Sequence, residues 1–152
     1  MVNNLQGNVE HFITCSPGLE PILYRESRGL GLPKVEQQVG GVRFEGSMRD
    51  AWRANLELRT AIRVLRRLAR FDCPDEKTLY ETVKGIDWTQ YLNSQGCFFV
   101  DAQCRDSTLD HSQFVAQRTK DGVVDSLRTE SGVRPSIAKE DADLRIHVHL
   151  WR

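Results

Sequence analysis

Between Cys104 and Arg128 the chain sets Arg105-Asp106-Ser107 and then Asp110-His111-Ser112 directly ahead of a run with helical periodicity. Asp110 or Ser112 can cap that run, because a short side-chain oxygen accepts a free first-turn N–H. Val115, Thr119, Gly122, Val123 and Leu127 recur at spacings of three and four, so they form one buried stripe. Gln113, Gln117 and Lys120 fall on a second face, and Arg118 and Arg128 on a third. A helix start favours anions, since its N–H groups lack internal partners. Arginine, lysine and hydroxyl side chains meet phosphates. The chemistry this stretch offers is therefore phosphate binding. The plain alternative is an amphipathic helix with a solvated face. Gly122 costs about 1 kcal/mol relative to alanine inside a helix, which points to close backbone packing there.

Other groupings offer less. Ser107, His111 and Ser112 could suggest a hydrolase, but no nucleophile elbow surrounds either serine. Asp87 with Asp101, or Asp121 with Asp125, could be acid–base pairs, but nothing puts them in a cleft. Asp121 and Asp125 are spaced as a solvated helix edge, with Arg118 and Arg128 within ion-pair reach. His147 and His149 share one face of a strand, yet no third ligand accompanies them, and zinc takes three or four. That face, which also carries Arg145 and Trp151, could instead stack or touch RNA. Cys15, Cys73, Cys97 and Cys104 show neither a Cys-x-x-Cys pair nor zinc spacing. They read as thiols in a reducing compartment, the cytoplasm. No metal site is expected. No apolar run reaches the length of a membrane span, and no signal peptide is evident.

With 21 basic and 21 acidic residues the formal charge is zero, so any nucleic-acid footprint must come from uneven distribution. Arg49, Arg53, Arg59, Arg63, Arg66, Arg67 and Arg70 crowd one segment against Asp50 and Glu57. From Asp72 to Asp101 the balance is acidic, with Lys77 and Lys84 as the only bases. The length of 152 residues suits one medium domain or two small ones.

The elements that must carry these residues follow in order. Val9 to Cys15 alternates as a strand. Ser16 is expected to cap a helix with Pro17 at its first position, ended by Gly29 and Gly31. Lys34 to Val39 and Val42 to Glu45, around Gly40-Gly41, predict a hairpin with a primed turn. Ser47 caps a further helix, which propensity would extend from Met48 to Ala69. Cys73-Pro74-Asp75 is a linker, and Asp75 caps a short helix through Leu79, Val83 and Ile86. Asp87-Trp88 begins another helical turn. Cys97 to Cys104 predicts a strand. Gly132 to Asp143 reads as a loop. Leu144, Ile146, Val148 and Leu150 alternate with Arg145, His147, His149 and Trp151 in a final strand.

Three stretches carry a family resemblance: RDS-x-L-x-HSQFVAQR-x-KDGVVD-x-LR from Arg105, FITCSPGLEPIL from Phe12, and VRFEG followed by AW-x-ANL-x-LRTAIRVL from Val42. The first resembles the signature helix of the THUMP domain, an RNA-binding module. Together, in this order, they resemble the front of bacterial S-adenosylmethionine-dependent guanine-N2 methyltransferases of large-subunit ribosomal RNA. The resemblance runs from about Val9 to the C-terminus. It implies an α+β fold: a ferredoxin-like domain over residues 9–72, packed on an α/β THUMP domain over 73–152. It also ends the second helix near Thr60 and makes Arg63 to Phe71 a strand, against local propensity. Strand, helix, strand, strand, helix, strand is the ferredoxin-like order.

Members of that family continue with a further strand, a linker and a Rossmann-like catalytic domain, so this chain looks like a front module, with its last sheet incomplete, or like a very short relative. The family's glycine-rich cofactor loop and Asn/Asp-Pro-Pro-aromatic motif do not occur here; Pro17, Pro21, Pro33, Pro74 and Pro135 stand alone. The expectation is no catalytic residue and no cofactor in this chain, with S-adenosylmethionine held by the catalytic domain. The expected partner is structured RNA, ribosomal before transfer RNA, with no DNA and no membrane. The candidate RNA contacts are Arg105, Ser107, His111, Ser112, Arg118 and Lys120, with Arg59 and Arg63 second. Arg59 has an equal alternative as a structural arginine tying the two domains together. Other readings are a module of a transfer-RNA-modifying enzyme, a protein-interaction module, or a small enzyme with a closed pocket.

Overall fold

The computed structural model describes residues 7–93, 95–132 and 134–151. The chain divides into two compact units between Arg70 and Phe71.

The first unit runs β1 (Val9–Thr14), α1 (Glu20–Gly29), β2 (Glu36–Gln38), β3 (Gly41–Gly46), α2 (Met48–Glu57) and β4 (Arg63–Arg66). Its antiparallel sheet has the order β2-β3-β1-β4. This is the ferredoxin-like arrangement of the predicted element order. Ile13, Leu23, Val42, Phe44, Ala51 and Ala54 form the core, because alternate strand residues point to one face and meet the apolar sides of the helices. His11 lies in that layer, stacked 4.8 Å from the Phe44 ring across the β1–β3 pair. On the opposite face Arg43 reaches Glu10, Glu36 and Glu45.

Local physics explains both the agreements and the departures. Ser47 caps α2 in a reciprocal box: its hydroxyl accepts from Asp50 N–H, and the Asp50 carboxylate accepts from Ser47 N–H at 2.9 Å. The helix then stops at Glu57 rather than running to Ala69, because Arg63–Arg66 pairs with β1. Sheet hydrogen bonding and burial there override helix propensity. Ser16 does not cap α1, and Pro17 is not its first residue. Leu19 N–H donates to Ser16 carbonyl, and Gly18 has φ +89°. Ser-Pro-Gly-Leu thus has the Pro and left-handed Gly positions of a type II turn, and the helix begins after it with Pro21 in its first turn. The hairpin forms, but its turn is not primed. Val39 and Gly40 make the loop, and the positive φ falls on the second residue, Gly40. Gly41 belongs to β3, where a Cβ would collide with the Ile13 carbonyl.

The second unit runs α3 (Glu76–Lys84), one 3-10 turn (Trp88–Gln90), β5 (Cys97–Arg105), α4 (Ser112–Ser131), β6 (Ser136–Ile137) and β7 (Leu144–Trp151). Asp75 caps α3 by accepting Thr78 N–H at 2.7 Å. The segment expected to be loop after Gly132 contains β6, which pairs parallel with β5. Two residues are too few for a period to show. The sheet order is β6-β5-β7, all parallel, so its strands end at one common edge. Phe98, Val100 and Ile146 are buried with Val115, Val123, Val124 and Leu127 of α4 and Leu79 and Val83 of α3. Each such side chain contributes about 1.5–3 kcal/mol of burial. Gly122 sits where α4 meets α3: a Cβ there would come 3.0 Å from Val83 Cγ1 and 3.2 Å from the Tyr80 carbonyl oxygen. The close packing expected from the sequence is present.

Candidate nucleic-acid interface

β5 ends in Arg105, and the chain turns through Asp106, held at φ +52°, into α4. Ser107 Oγ donates to Leu109 carbonyl at 2.5 Å, and Thr108 Oγ1 donates to Pro74 carbonyl at 3.2 Å, so the turn is pinned to the segment before α3. Neither Asp110 nor Ser112 caps α4. The N-cap is His111, with no side-chain cap hydrogen bond. Ser112 already lies within the first turn, and the Asp110 carboxylate instead lies 3.6 Å from the His111 ring. The first-turn N–H groups are thus left without a side-chain cap, the arrangement that suits an anion. The Arg105 and His111 side chains are 82 % and 86 % exposed, so both extend into solvent, Arg105 at the end of β5 and His111 at the helix start.

The remaining candidates lie elsewhere. Lys120 sits eight residues along α4 from Ser112, about 12 Å at helical rise. Its Nζ donates to Gln117 Oε1 at 2.6 Å. With Ser112, Gln113, Ala116 and Gln117 it lines an open groove against Phe99, Asp101, Ala102 and Ile137. Arg118 faces the other way, 4.9 Å over the Tyr80 ring and 3.8 Å from both Glu76 and Asp121. Arg59 and Arg63 belong to the first unit. Arg59 adjoins Glu26, whose carboxyl is held below its ordinary range first by the Thr60 hydroxyl at 2.7 Å, then by N–H groups of Thr60 and Arg59 and the Arg59 charge. Arg63 is exposed and opens the edge strand β4, opposite Thr14. Much of the arginine-rich segment is engaged within its own unit: Arg53 with Leu30 carbonyl, Asp50 and Glu57, and Arg67 with Glu10.

Comparison with known proteins places this geometry. Residues 73–152 match the family model described as THUMP domain, more than half of the chain. The chain belongs to the THUMP domain family. Residues 10–65 match the model described as RlmL ferredoxin-like domain. The chain is 41% identical over 143 residues to the ribosomal RNA large subunit methyltransferase K/L of Pseudomonas aeruginosa, covering 94% of this chain and 20% of that one. It is 40% identical over 144 residues to the protein of the same name from Syntrophotalea carbinolica, covering 95% and 20%. The chain thus spans about a fifth of the length of the curated relatives it matches. A crystal structure from Listeria monocytogenes, named a predicted N6-adenine-specific DNA methylase, superposes with TM-score 0.82 at 26% identity, covering 95% of this chain and 38% of that one.

In the THUMP unit the parallel register adds a residue that the periodicity of β7 could not place. Arg105 stands opposite Trp151, and Gln103 opposite His149. Trp151, 54% exposed, therefore joins Arg105 at the edge of the sheet from which α4 departs. Tyr80 was missed as well. Its hydroxyl donates to Asp125 Oδ2 at 2.6 Å, which raises the Tyr80 pKa, with burial adding to the rise. Among the described residues no group of three His, Cys, Asp or Glu side chains could hold a metal, and no helix is long and apolar enough to cross a membrane. All four cysteines are free thiols.

Proposed function

We propose that this chain is the RNA-gripping front of a ribosomal RNA methyltransferase. It holds a structured segment of large-subunit RNA in register for a catalytic domain elsewhere in the parent protein. The observation that carries the proposal is the uncapped start of α4 at the solvent-facing His111, with the exposed Arg105 at the end of the preceding strand, in a chain of the THUMP family. The first-turn N–H groups and the His111 imidazole adjoin at the helix start, the Ser112 hydroxyl belongs to the first turn, and the Arg105 guanidinium stands at the end of β5 just ahead of it in the chain. Lys120 offers a second cation about 12 Å along the helix. Ser107 shapes the turn, Arg118 braces α4 against α3, and Arg59 and Arg63 are secondary contacts in the other domain. The name shared by the relatives at about 40% identity favours ribosomal over transfer RNA and favours RNA over DNA. Cytoplasm is the compartment such a substrate requires.

This grip raises the effective concentration of one nucleotide at the distant active site. S-adenosylmethionine does not fit the residues present. At the carboxyl end of β5, where an open parallel sheet takes a cofactor, the turn is Arg-Asp-Ser with no glycine to let the backbone approach a ligand. The methyl donor and the chemistry therefore belong to the catalytic domain.

The test is binding of this chain to a large-subunit RNA fragment and to a transfer RNA across a salt series, beside Arg105→Ala/Lys120→Ala. Affinity for the ribosomal fragment should fall with salt, because phosphate contacts release counterions. The log–log slope should shrink by about 2 in the double variant. An unchanged affinity and slope in a folded double variant would remove these residues from the site. Preference for transfer RNA would move the parent to transfer-RNA modification. Loss of all binding to an unrelated acidic polymer would favour a protein-interaction module.

A further inference from the structure

One end of the first unit gathers apolar side chains that neither its core nor the phosphate site uses. Thr14, last in β1, is paired with Gly41, first in β3, and with Arg63, first in β4. The hairpin tip, the start of α1 and the segment after α2 therefore meet at this end. Two of the three stretches that carry the family resemblance, around Ser16-Pro17-Gly18 and Leu58-Arg59-Thr60-Ala61, come together here. Each part delivers an exposed aliphatic side chain: Val39 at 95%, Ile22 at 41%, Ile62 at 61%, and Leu56, in the last turn of α2, at 85%. Hydrogen bonds fix the backbone around them. Cys15 N–H donates to Gly40 carbonyl at 3.1 Å, and Ile62 N–H to Thr14 carbonyl at 2.8 Å. The Glu20 carboxylate accepts from Gly18 N–H at 2.7 Å and Gly40 N–H at 3.2 Å, and Glu26 accepts from the Thr60 hydroxyl at 2.7 Å. The patch is thus preorganised, which lowers the ordering cost of covering it. Arg59 and Arg63 are exposed in the same segment as Ile62, and neither has a salt bridge among the described residues.

We infer that this end of the first unit docks on the catalytic domain of the parent protein, against an apolar surface of that domain. The inference rests on the reading of this chain as the front of a methyltransferase and deepens it, from a grip on RNA to a fixed mount for that grip. The alternatives fit less well. Aliphatic side chains offer RNA neither a ring to stack on nor a hydrogen-bond donor. A second copy would bring Arg59 and Arg63 of one chain towards those of the other, and like charges set together oppose association. Stable contact between free proteins needs about 800 Å² from each partner, more than this handful of side chains supplies. A tethered partner is held at high effective concentration and needs less. The matched stretch is 20% of the length of the curated relatives, so in them most of the protein is tethered to it. Docking also serves delivery, because a nucleotide stays in register only if its holder is fixed relative to the active site. Arg59 and Arg63 remain at the rim of this contact, where bound RNA can still reach them.

The experiment measures amide hydrogen exchange, without RNA, in the full-length parent protein and in this chain alone. Residues 16–22, 38–41 and 56–62 should exchange about ten-fold more slowly in the parent, because docking suppresses their local opening. Val39→Glu/Leu56→Glu in the parent should return them to the rates of the chain alone, since a carboxylate is costly to bury against apolar surface. Val39→Ala/Leu56→Ala should remove only part of the protection. Both positions are exposed, so the RNA affinity of this chain alone should not change. Methyl transfer by the parent should fall about ten- to a hundred-fold in kcat/KM, the cost of misplacing the nucleotide. Equal exchange in the parent and in this chain overturns the inference alone, provided the parent methylates large-subunit RNA. Protection that survives the glutamate pair, or that grows with protein concentration as self-association requires, also overturns it. A parent that transfers no methyl group overturns the methyltransferase reading and this inference with it.

Discussion

Replacing Gly122 by alanine sets two known effects against each other. Helix propensity favours alanine by about 1 kcal/mol at an interior helical position. The structure opposes it. The new methyl would lie 3.0 Å from Val83 Cγ1, 3.1 Å from Val83 Cβ and 3.2 Å from the Tyr80 carbonyl oxygen. Val83 is 5% exposed and cannot swing away into solvent, and the Tyr80 carbonyl belongs to the α3 backbone. The helices must part by a few tenths of an ångström, and such overpacking costs about 1–3 kcal/mol. The net expectation is a loss of about 1 kcal/mol, which lowers the urea midpoint by about 0.5 M at a typical slope of ~2 kcal/mol/M. Trp88, buried in the second unit, is the reporter, read in a background where Trp52 and Trp151 are phenylalanine. Adding Val83→Ala should make the double variant less unstable than the sum of the singles, because one of the clashing groups is gone. A Gly122→Ala midpoint equal to or above wild type would refute the reasoning. It would mean that the helices separate without cost and that the glycine is not there for close approach.

Two further outcomes concern the first unit. His11 has a pKa below its ordinary 6.5, first through burial and then through the Arg66 charge, with Asp50 opposing, and its Nε2 is buried without a hydrogen-bond partner. The unfolded chain therefore takes up the proton first as pH falls. The contribution is fully present above about 6.5 and lost as pH drops through that value towards the lower folded pKa. His11→Phe should flatten the urea midpoint between pH 7 and pH 5, and an unaltered slope would exclude His11 as the source. Ser47→Ala removes the reciprocal cap of α2 and should cost about 1 kcal/mol, followed through Trp52 fluorescence. Asp50→Ala should cost a similar amount without adding to it, since both side chains belong to one motif; additive losses would show two independent caps.

Short-range physics made much of this protein legible from its residues alone. Ser47 and Asp50 are three apart, and so are Asp75 and Thr78, so their caps depend on nothing beyond one helical turn. The stripe from Val115 to Leu127 follows from 3.6 residues per turn, and the face of β7 from a period of two. Where the structure departs from local preference, longer-range forces or turn geometry prevail. The arginine-rich run after Glu57 prefers helix by composition, yet its end is a strand because β1 offers an open edge to pair with. Ser16-Pro17 suits a helix start, but Gly18 accepts a positive φ and closes a turn first. The candidate interface divided in the same way. The helix start, Arg105 and His111 adjoin in the chain and could be found together. Arg118 could not be assigned from spacing, because Tyr80 and Glu76 reach it only when α3 packs on α4. Trp151 lies 46 residues beyond Arg105, and only the parallel register of β5 and β7 brings the two side by side. A residue's type and its near neighbours set what it can bind. Which distant residues join it was decided by strand pairing and helix packing, whose free energy comes from surfaces that meet only in the folded chain.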